Sequence, residues 1–289
     1  MRTRVMPKEC LKSVTKEDWV DINRRPYVKG DTAWIPVKDG FFFDCILDKK
    51  KGYLGRGYHM AGDIAIFHGD VPDKKDLDEL IRWENPSCIL HIHSYEGVRR
   101  IPKINVLYGK PKEICLKENG CFFIFDPSKV MFAMGNREEK RRIAEIVKKG
   151  ERIADMFAGI GYFTIPAAVS GADIHAMEIN PDSFLFLKRN IEKNRVEENV
   201  ISECGDCRDL LKGEYDRAFM GHFESYSMLP DILSHMKRNS TLHVHSINDI
   251  SAKISKECKI AGFKPDISLH RVKKYAPHKW HVVQDVVLL

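Results

Sequence analysis

The residues whose types and spacing could do chemistry lie between Glu151 and Asn180, in the stretch ERIADMFAGIGYFTIPAAVSGADIHAMEIN. Ile153–Phe157 is a short apolar run of the kind that forms a buried parallel strand. Asp155, Gly159 and Gly161 follow as a D-x-F-A-G-x-G turn. Glycine tolerates positive φ and lets a ligand approach the backbone closely. Phe163–Val169 has helical spacing, Ala172–Met177 reads as a second strand, and Glu178 ends it. An acid about 20 residues beyond such glycines is where a doubly wound sheet meets ribose hydroxyls. Thr164 stands where a dinucleotide fingerprint has its third glycine, which argues against NAD. Asp155 and Glu178 fit S-adenosylmethionine (AdoMet) better.

Ligands of an open α/β sheet lie at the carboxyl ends of the strands, so four points should meet. Phe157–Gly161 would face the cofactor backbone and Glu178 would accept from the ribose. Asp206, after a third strand at Val200–Glu203, would meet the adenine amino group, with the Cys207 amide beside it. Met220-Gly221-His222, after a fourth strand at Tyr215–Met220, would face the reacting end. Methyltransferases of planar amines commonly carry Asn/Asp-Pro-Pro or Asn-Leu-Pro at this point. Here Met-Gly-His-Phe-Glu-Ser has neither Asn nor Pro, so the group that would accept from a target amine is missing.

The elements that must position these groups fall into two regions. Up to about residue 126 the chain has short β-like runs at Ala33–Val37, Phe41–Leu47, Asp63–Phe67, Cys88–Ile92, Ile104–Leu107 and Cys121–Phe125. Asn119-Gly120 is a hairpin signal, and Asp73 can cap a helix over Lys74–Trp83. Beyond it, helix and strand alternate. Asn136 with Glu139 reads as a box-like start to a helix running to Lys149, and Asn180-Pro181 opens another with a Phe184, Leu187, Ile191 stripe. Helices over Met228–Lys237 and Ile250–Ala261 flank a strand at Thr241–Ser246. Ile267–Lys273 and His281–Leu288 are joined by so short a connection that they must be antiparallel. The expected fold is α/β: a class I AdoMet-methyltransferase (Rossmann-like) sheet over residues 127–289, with a smaller N-terminal α+β domain over residues 1–126.

The chain has 289 residues, 43% of them hydrophobic, and a net charge of +6. That permits a polyanionic partner without demanding one. No apolar run approaches the ~20 residues of a membrane span, and MRTRVMPKEC lacks the apolar core of a signal peptide, so a cytoplasmic location without membrane contact is expected. The eight cysteines are scattered and read as free thiols. Cys204–Cys207 has no second pair at zinc spacing. His91-x-His93 and His243-x-His245 each share a strand face with no third ligand in view. No metal is expected.

Four blocks together resemble one family: Lys129-Val-Met-Phe132, Asp155-Met-Phe-Ala-Gly-Ile-Gly161, Asp216-Arg217 leading to Met220-Gly221, and Tyr275-Ala-Pro with Trp280-His-Val-Val-x-Asp285. They are similar to the wybutosine-synthesising tRNA aminocarboxypropyltransferases, especially the archaeal type. These are cousins of the tRNA guanine-37 N1-methyltransferases. The resemblance runs from about Glu118 onward. It implies transfer of the 3-amino-3-carboxypropyl group of AdoMet to C7 of 4-demethylwyosine at position 37 of tRNA(Phe), with 5′-methylthioadenosine leaving. By position it implies cofactor contacts at Ala133, Lys140, Glu178, Asp206 and Cys207. Family members commonly have Ser at Ala133, Arg at Lys140 and Asn at Cys207, and the cousins have an Arg where Gly135 stands. On this reading Lys140 holds a carboxylate as a point charge. His222 contacts the base or takes its proton, with Glu224 second. Arg24, Arg25, Arg99, Arg100, Lys273 and Lys274 become candidates for anticodon-loop phosphates, and Tyr275 and Trp280 for stacking or for hairpin packing. The other readings are a guanine-37 N1-methyltransferase and a tRNA-binding protein with a vestigial cofactor fold.

Overall fold

The computed structural model describes residues 1–289 except 15, 16, 23, 25, 48–52 and 54. Arg25 therefore lies outside the described residues. The chain forms two compact units, one of Met1–Arg56 with Pro72–Asn85 and one of Gly57–Val71 with Pro86–Leu289. The expected boundary after residue 126 does not coincide with this division.

In the first unit β1 (Arg2–Pro7), α1 (Leu11–Val14), β2 (Tyr27–Lys29), β3 (Thr32–Pro36) and β4 (Cys45–Ile46) precede α2 (Lys74–Glu84). The strands form an antiparallel sheet in the order β2-β3-β1-β4. Val14, Val20, Ala33 and Ile35 are its core. Asp73 caps α2, its carboxylate accepting from the Asp76 amide at 2.8 Å. The run Phe41–Leu47 yields only the two residues of β4: Phe41 and Phe42 are exposed, and without burial an apolar run has nothing to hold it in a ladder.

The second unit begins with β5 (Tyr58–Ala61), β6 (Ile64–His68), β7 (Cys88–Glu96) and β8 (Ile101–Gly109), paired in that order. Next comes a hairpin of β9 (Ile114–Glu118) and β10 (Cys121–Phe125). Asn119 and Gly120 both have positive φ, 49° and 85°, as a two-residue hairpin turn with the strands' twist requires. The remainder comprises α3 (Arg137–Ile146), β11 (Arg152–Asp155), α4 (Thr164–Val169), β12 (Asp173–Glu178), α5 (Pro181–Asn194), β13 (Val200–Cys204), α6 (Cys207–Leu210), β14 (Tyr215–Met220), α7 (Leu229–Leu233), β15 (Met236–Ile247), α8 (Ser251–Ile260), β16 (Pro265–Ala276) and β17 (Lys279–Leu288). Its seven-stranded sheet runs β13-β12-β11-β14-β15-β17-β16. The first five strands are parallel and the last two antiparallel. The sheet order reverses at β11, which has β12 on one side and β14 on the other.

The hairpin belongs to this unit because α5 reaches its open edge. Asn190 Oδ1 accepts from the Ile124 amide at 2.6 Å, and Asn194 Oδ1 accepts from the Phe122 amide at 2.8 Å. Asn190 Nδ2 also donates to the Ile160 carbonyl, inside the glycine turn, at 2.9 Å. Two asparagines thus satisfy a strand edge whose amides and carbonyls would otherwise lack partners.

Two helix expectations change. Asn136 makes no capping bond, and Glu139 pairs with Arg142 at 2.7 Å instead of turning back to the helix start. Met228–Lys237 shortens to α7, because Met236 already begins β15 beside Tyr215.

A buried charge network joins α3 to the sheet. Arg142 spans Glu139 and Asp285. Asp285 accepts from His243 Nδ1 at 2.6 Å, and His243 Nε2 accepts from Arg217 at 2.7 Å. Arg217 forks onto Glu151 with two bonds of 2.9 Å. Removing one member strands the others in low dielectric. Asp285→Ala is expected to destabilise the fold by about 3–5 kcal/mol, measured by urea unfolding at neutral pH.

Candidate active site

The carboxyl ends of β11, β12, β13 and β14 open into one cavity of about 1190 Å³ within the second unit. Its lining includes the cofactor-contact and catalytic candidates Ala133, Lys140, Phe157, Gly159, Glu178, Asp206, Cys207, His222 and Glu224. The geometry assigns several of them partners that the spacing did not disclose.

Gly159 and Gly161 have φ of +56° and +101°. A Cβ on Gly159 would meet the Tyr162 ring at 2.7 Å, and one on Gly161 would meet Ile165 at 2.7 Å. The turn therefore needs glycine for its backbone and for its packing. Asp155 is fully buried and accepts from Thr164 Oγ1 at 2.7 Å. Burial pushes its carboxyl up to about 6. Glu178 braces the turn from β12: Oε2 accepts from the Gly159 amide and Oε1 from the Asn180 amide, both at 2.7 Å. Burial outweighs these bonds and pushes Glu178 up to about 7.

Asp206 caps α6 through the Arg208 amide at 3.0 Å and is gripped by the Arg208 side chain, which holds its carboxyl below the usual range. The Cys207 thiol is buried 3.5 Å from the Met228 sulfur, and burial pushes it up to about 12. It is an apolar wall and no nucleophile. Lys140 is 1% exposed, ringed by Phe123, Phe132 and Tyr162, with its ammonium 2.6 Å from Glu118 Oε1. Its charge is thus answered inside the protein, and burial lowers its pKa.

At the acceptor end His222 packs its ring against Phe157, centroids 5.6 Å apart. Its Nδ1 accepts from the Glu224 amide at 3.2 Å, so the neutral ring carries its proton on Nε2 and is a donor. Burial, with Arg100 nearby, lowers its pKa and favours that neutral form. Of the phosphate candidates, Arg99, Arg100 and Lys273 line the cavity, whereas Arg24 pairs with Asp21 outside it. Tyr275 and Trp280 are exposed, at 56% and 37%, so hairpin packing does not bury them. Tyr275 meets Phe223 edge-on at 5.5 Å.

Three lining residues carried no site signal in the sequence. Tyr162 roofs Gly159 and donates to the Met131 carbonyl. Tyr95 lies under Arg100. Asn136, read as a helix cap, holds a buried Oδ1 with no partner among the described residues. The histidine pairs are structural in their contacts: His91 Nε2 bonds the Gly69 carbonyl at 2.7 Å, and His245 bonds His281 at 2.9 Å.

A doubly wound sheet, a glycine turn at its switch point, and an acid closing the second strand define a class I AdoMet-dependent transferase fold. Residues 114–273 match the TRM5/TYW2 methyltransferase domain. The chain belongs to that family. It is 35% identical to the tRNA(Phe) (4-demethylwyosine(37)-C(7)) aminocarboxypropyltransferase of Methanocaldococcus jannaschii, across 80% of this chain and 98% of that protein. The crystal structure of M. jannaschii TYW2 in complex with AdoMet aligns with a TM-score of 0.65 at 29% identity, covering 80% of this chain and 99% of that one. The M. jannaschii tRNA m1G37 methyltransferase shares the fold over all of this chain and 99% of its own, with a TM-score of 0.71 at 20% identity.

Glu178 makes a titration prediction. Its folded pKa lies above its unfolded one, so the folded state keeps a proton that the unfolded chain releases. Its contribution to stability falls as pH rises from about 4.5 to about 7 and then levels off. Buried histidines titrate with the opposite slope, so the comparison is the unfolding free energy of wild type minus that of Glu178→Gln at pH 5, 6, 7 and 8. A declining difference is expected; a flat one would mean that the carboxyl is ionised throughout.

Proposed function

We propose that this protein transfers the 3-amino-3-carboxypropyl group of AdoMet to C7 of 4-demethylwyosine at position 37 of tRNA(Phe), releasing 5′-methylthioadenosine. The observation that carries the reading is the loop after β14. It offers Gly221-His222-Phe223-Glu224 to a cavity whose cofactor end is framed as in AdoMet enzymes. It lacks the Asn that would orient a target amine. Similarity over nearly the whole length of the M. jannaschii aminocarboxypropyltransferase supports the same choice.

The residues fit the cofactor. Gly159 leaves its backbone open to a nucleoside. Each Glu178 oxygen uses one lone pair on an amide and keeps another for a ribose hydroxyl. Asp206, the buried Cys207, Ala133, Phe157 and Lys140 line the same space. A volume of about 1190 Å³ exceeds the roughly 300–1,000 Å³ of a usual small-molecule site, which leaves room for a splayed base beside the cofactor. When bound, AdoMet supplies a sulfonium with three electrophilic carbons. The protein's task is to align one of them with the base at ~3–3.5 Å and to exclude water. The ring carbon would bond to the γ-carbon as the S–C electron pair goes to the sulfur of the departing methylthioadenosine, and the ring proton would then pass to solvent at the mouth of the cavity. His222, with a proton on Nε2, serves as a donor to a base oxygen or nitrogen. The anticodon loop is the RNA element we assign to the mouth of this site. The N-terminal region to residue 126 would serve as the accessory tRNA-binding part.

Two experiments test this. AdoMet labelled in the methyl or in the carboxyl carbon is incubated with the protein and tRNA(Phe) carrying 4-demethylwyosine. Carboxyl label is expected in the tRNA; methyl label alone would make the protein a methyltransferase. His222→Ala is expected to lower single-turnover rates on the order of 10²-fold, and unchanged turnover would end its assignment.

A further inference from the structure

Among the described residues, one end of the cavity holds polar atoms that no partner answers. Lys273 lies on β16, between two irregularities in the pairing with β17, one between Arg271 and Lys273 and one between Lys274 and Ala276. A bulge adds a residue to one strand and re-aims the side chains that follow. Here it sends Lys273 into the cavity, half-buried, toward Gly135. Gly135 makes the room: a Cβ there would lie 2.5 Å from Lys273 Nζ. Among the described residues Lys273 forms no ion pair, and burial alone lowers its pKa. Beside it, Asn136 Oδ1 is a buried acceptor without a donor. The acids of this region are taken, Glu118 by Lys140, Glu178 by two backbone amides and Asp206 by Arg208.

An unanswered cation beside an unanswered acceptor complements a zwitterionic α-amino acid. Resting on the proposed function, we infer that Lys273 and Asn136 hold the amino-acid end of AdoMet, Lys273 Nζ taking the α-carboxylate and Asn136 Oδ1 accepting from the α-ammonium. Lys140, the other lysine of the cavity, already has its charge answered by Glu118. The arrangement draws the transferred chain toward β16, which also carries Tyr275, the neighbour of Phe223 on the acceptor loop. Lys273 and Asn136 are binding and orienting residues that decide which sulfonium substituent faces the base.

Titration calorimetry on the full chain tests this with three ligands: AdoMet, decarboxylated AdoMet, which keeps the amine, and 5′-methylthioadenosine, which has neither group. Lys273→Met is expected to weaken AdoMet about 10–100-fold, the range of a charge-assisted hydrogen bond, and to leave the other two ligands unchanged. Asn136→Ala should weaken AdoMet and decarboxylated AdoMet together and spare methylthioadenosine. Gly135→Ala, which displaces the Lys273 ammonium without removing it, should repeat the Lys273→Met pattern. Equal loss of methylthioadenosine in these variants would overturn the assignment in favour of a general packing role. Unchanged AdoMet affinity with weakened tRNA binding would overturn it in favour of a backbone phosphate on Lys273. If the wild-type protein binds neither AdoMet nor methylthioadenosine, the proposed function fails and this site with it.

Discussion

The cavity depends on a glycine turn whose Gly159 amide is held by a carboxylate brought from the neighbouring strand. Gly159 and Gly161 have no side chain to satisfy or pin their own backbone, and their positive φ excludes most residues that could. Glu178 supplies the restraint from the neighbouring strand, bonding the Gly159 amide and the amide of Asn180, which caps α5. Asp155 does the same from within, through Thr164 at the start of α4. Both acids sit where water is excluded, so each is raised toward neutrality. The groups that look like ligand contacts are thus first the brackets of the turn. A ribose can use only the lone pairs that the backbone leaves.

The second constraint lies beneath the cavity. Asp216, Arg217 and Asp285 belong to the motif blocks that carry the family resemblance, yet none lines the site. Asp216 accepts from the Arg152 amide at 2.9 Å and from Lys237 at 2.7 Å, fixing where β11 starts beside β14. Arg217 and Asp285 relay through His243 to Arg142, so that α3 and the antiparallel extension are keyed to the parallel strands. Such a buried network tolerates removal of a member poorly. A sequence motif can therefore mark a family through its frame as readily as through its chemistry.

How far the chain could be read follows from how locally each feature is determined. β11 to β14 were legible because short runs centred on apolar residues alternate with helical segments, the pattern of a parallel α/β sheet, and Asn180-Pro181 announces α5 without tertiary help: Asn180 Oδ1 accepts from the Asp182 amide at 3.0 Å. Strands β1, β2, β5 and β9 were not, since their alternating or polar residues take strand form only against a partner. Asn136 failed as a cap for a different reason. Ala133 to Asn136 form a 3-10 turn into α3, which carries the side chain into the cavity. The nominated cofactor-contact and catalytic residues reached the cavity, but Lys140 and Asp206 arrive already paired, with Glu118 and Arg208. Spacing along a chain gives position at a strand end and says nothing of which charge another element has brought to meet it.

The division of labour inside the cavity bears on how one frame can serve two alkyl transfers. The nucleoside end is built from backbone amides and strand-end acids, whose geometry is fixed by the sheet. The other end is built from side chains on irregular segments: the loop after β14, the turn before α3, and the bulged strand β16. Alignment of a sulfonium carbon with its nucleophile is sensitive to shifts near 1 Å, and side chains on such segments can change by that much without disturbing the sheet. The end of the cavity built on these irregular segments is therefore the end that can shift while the sheet stays fixed. That end can change while the Asp-Met-Phe-Ala-Gly turn stays in place, because the Gly159 amide is held from β12 by Glu178.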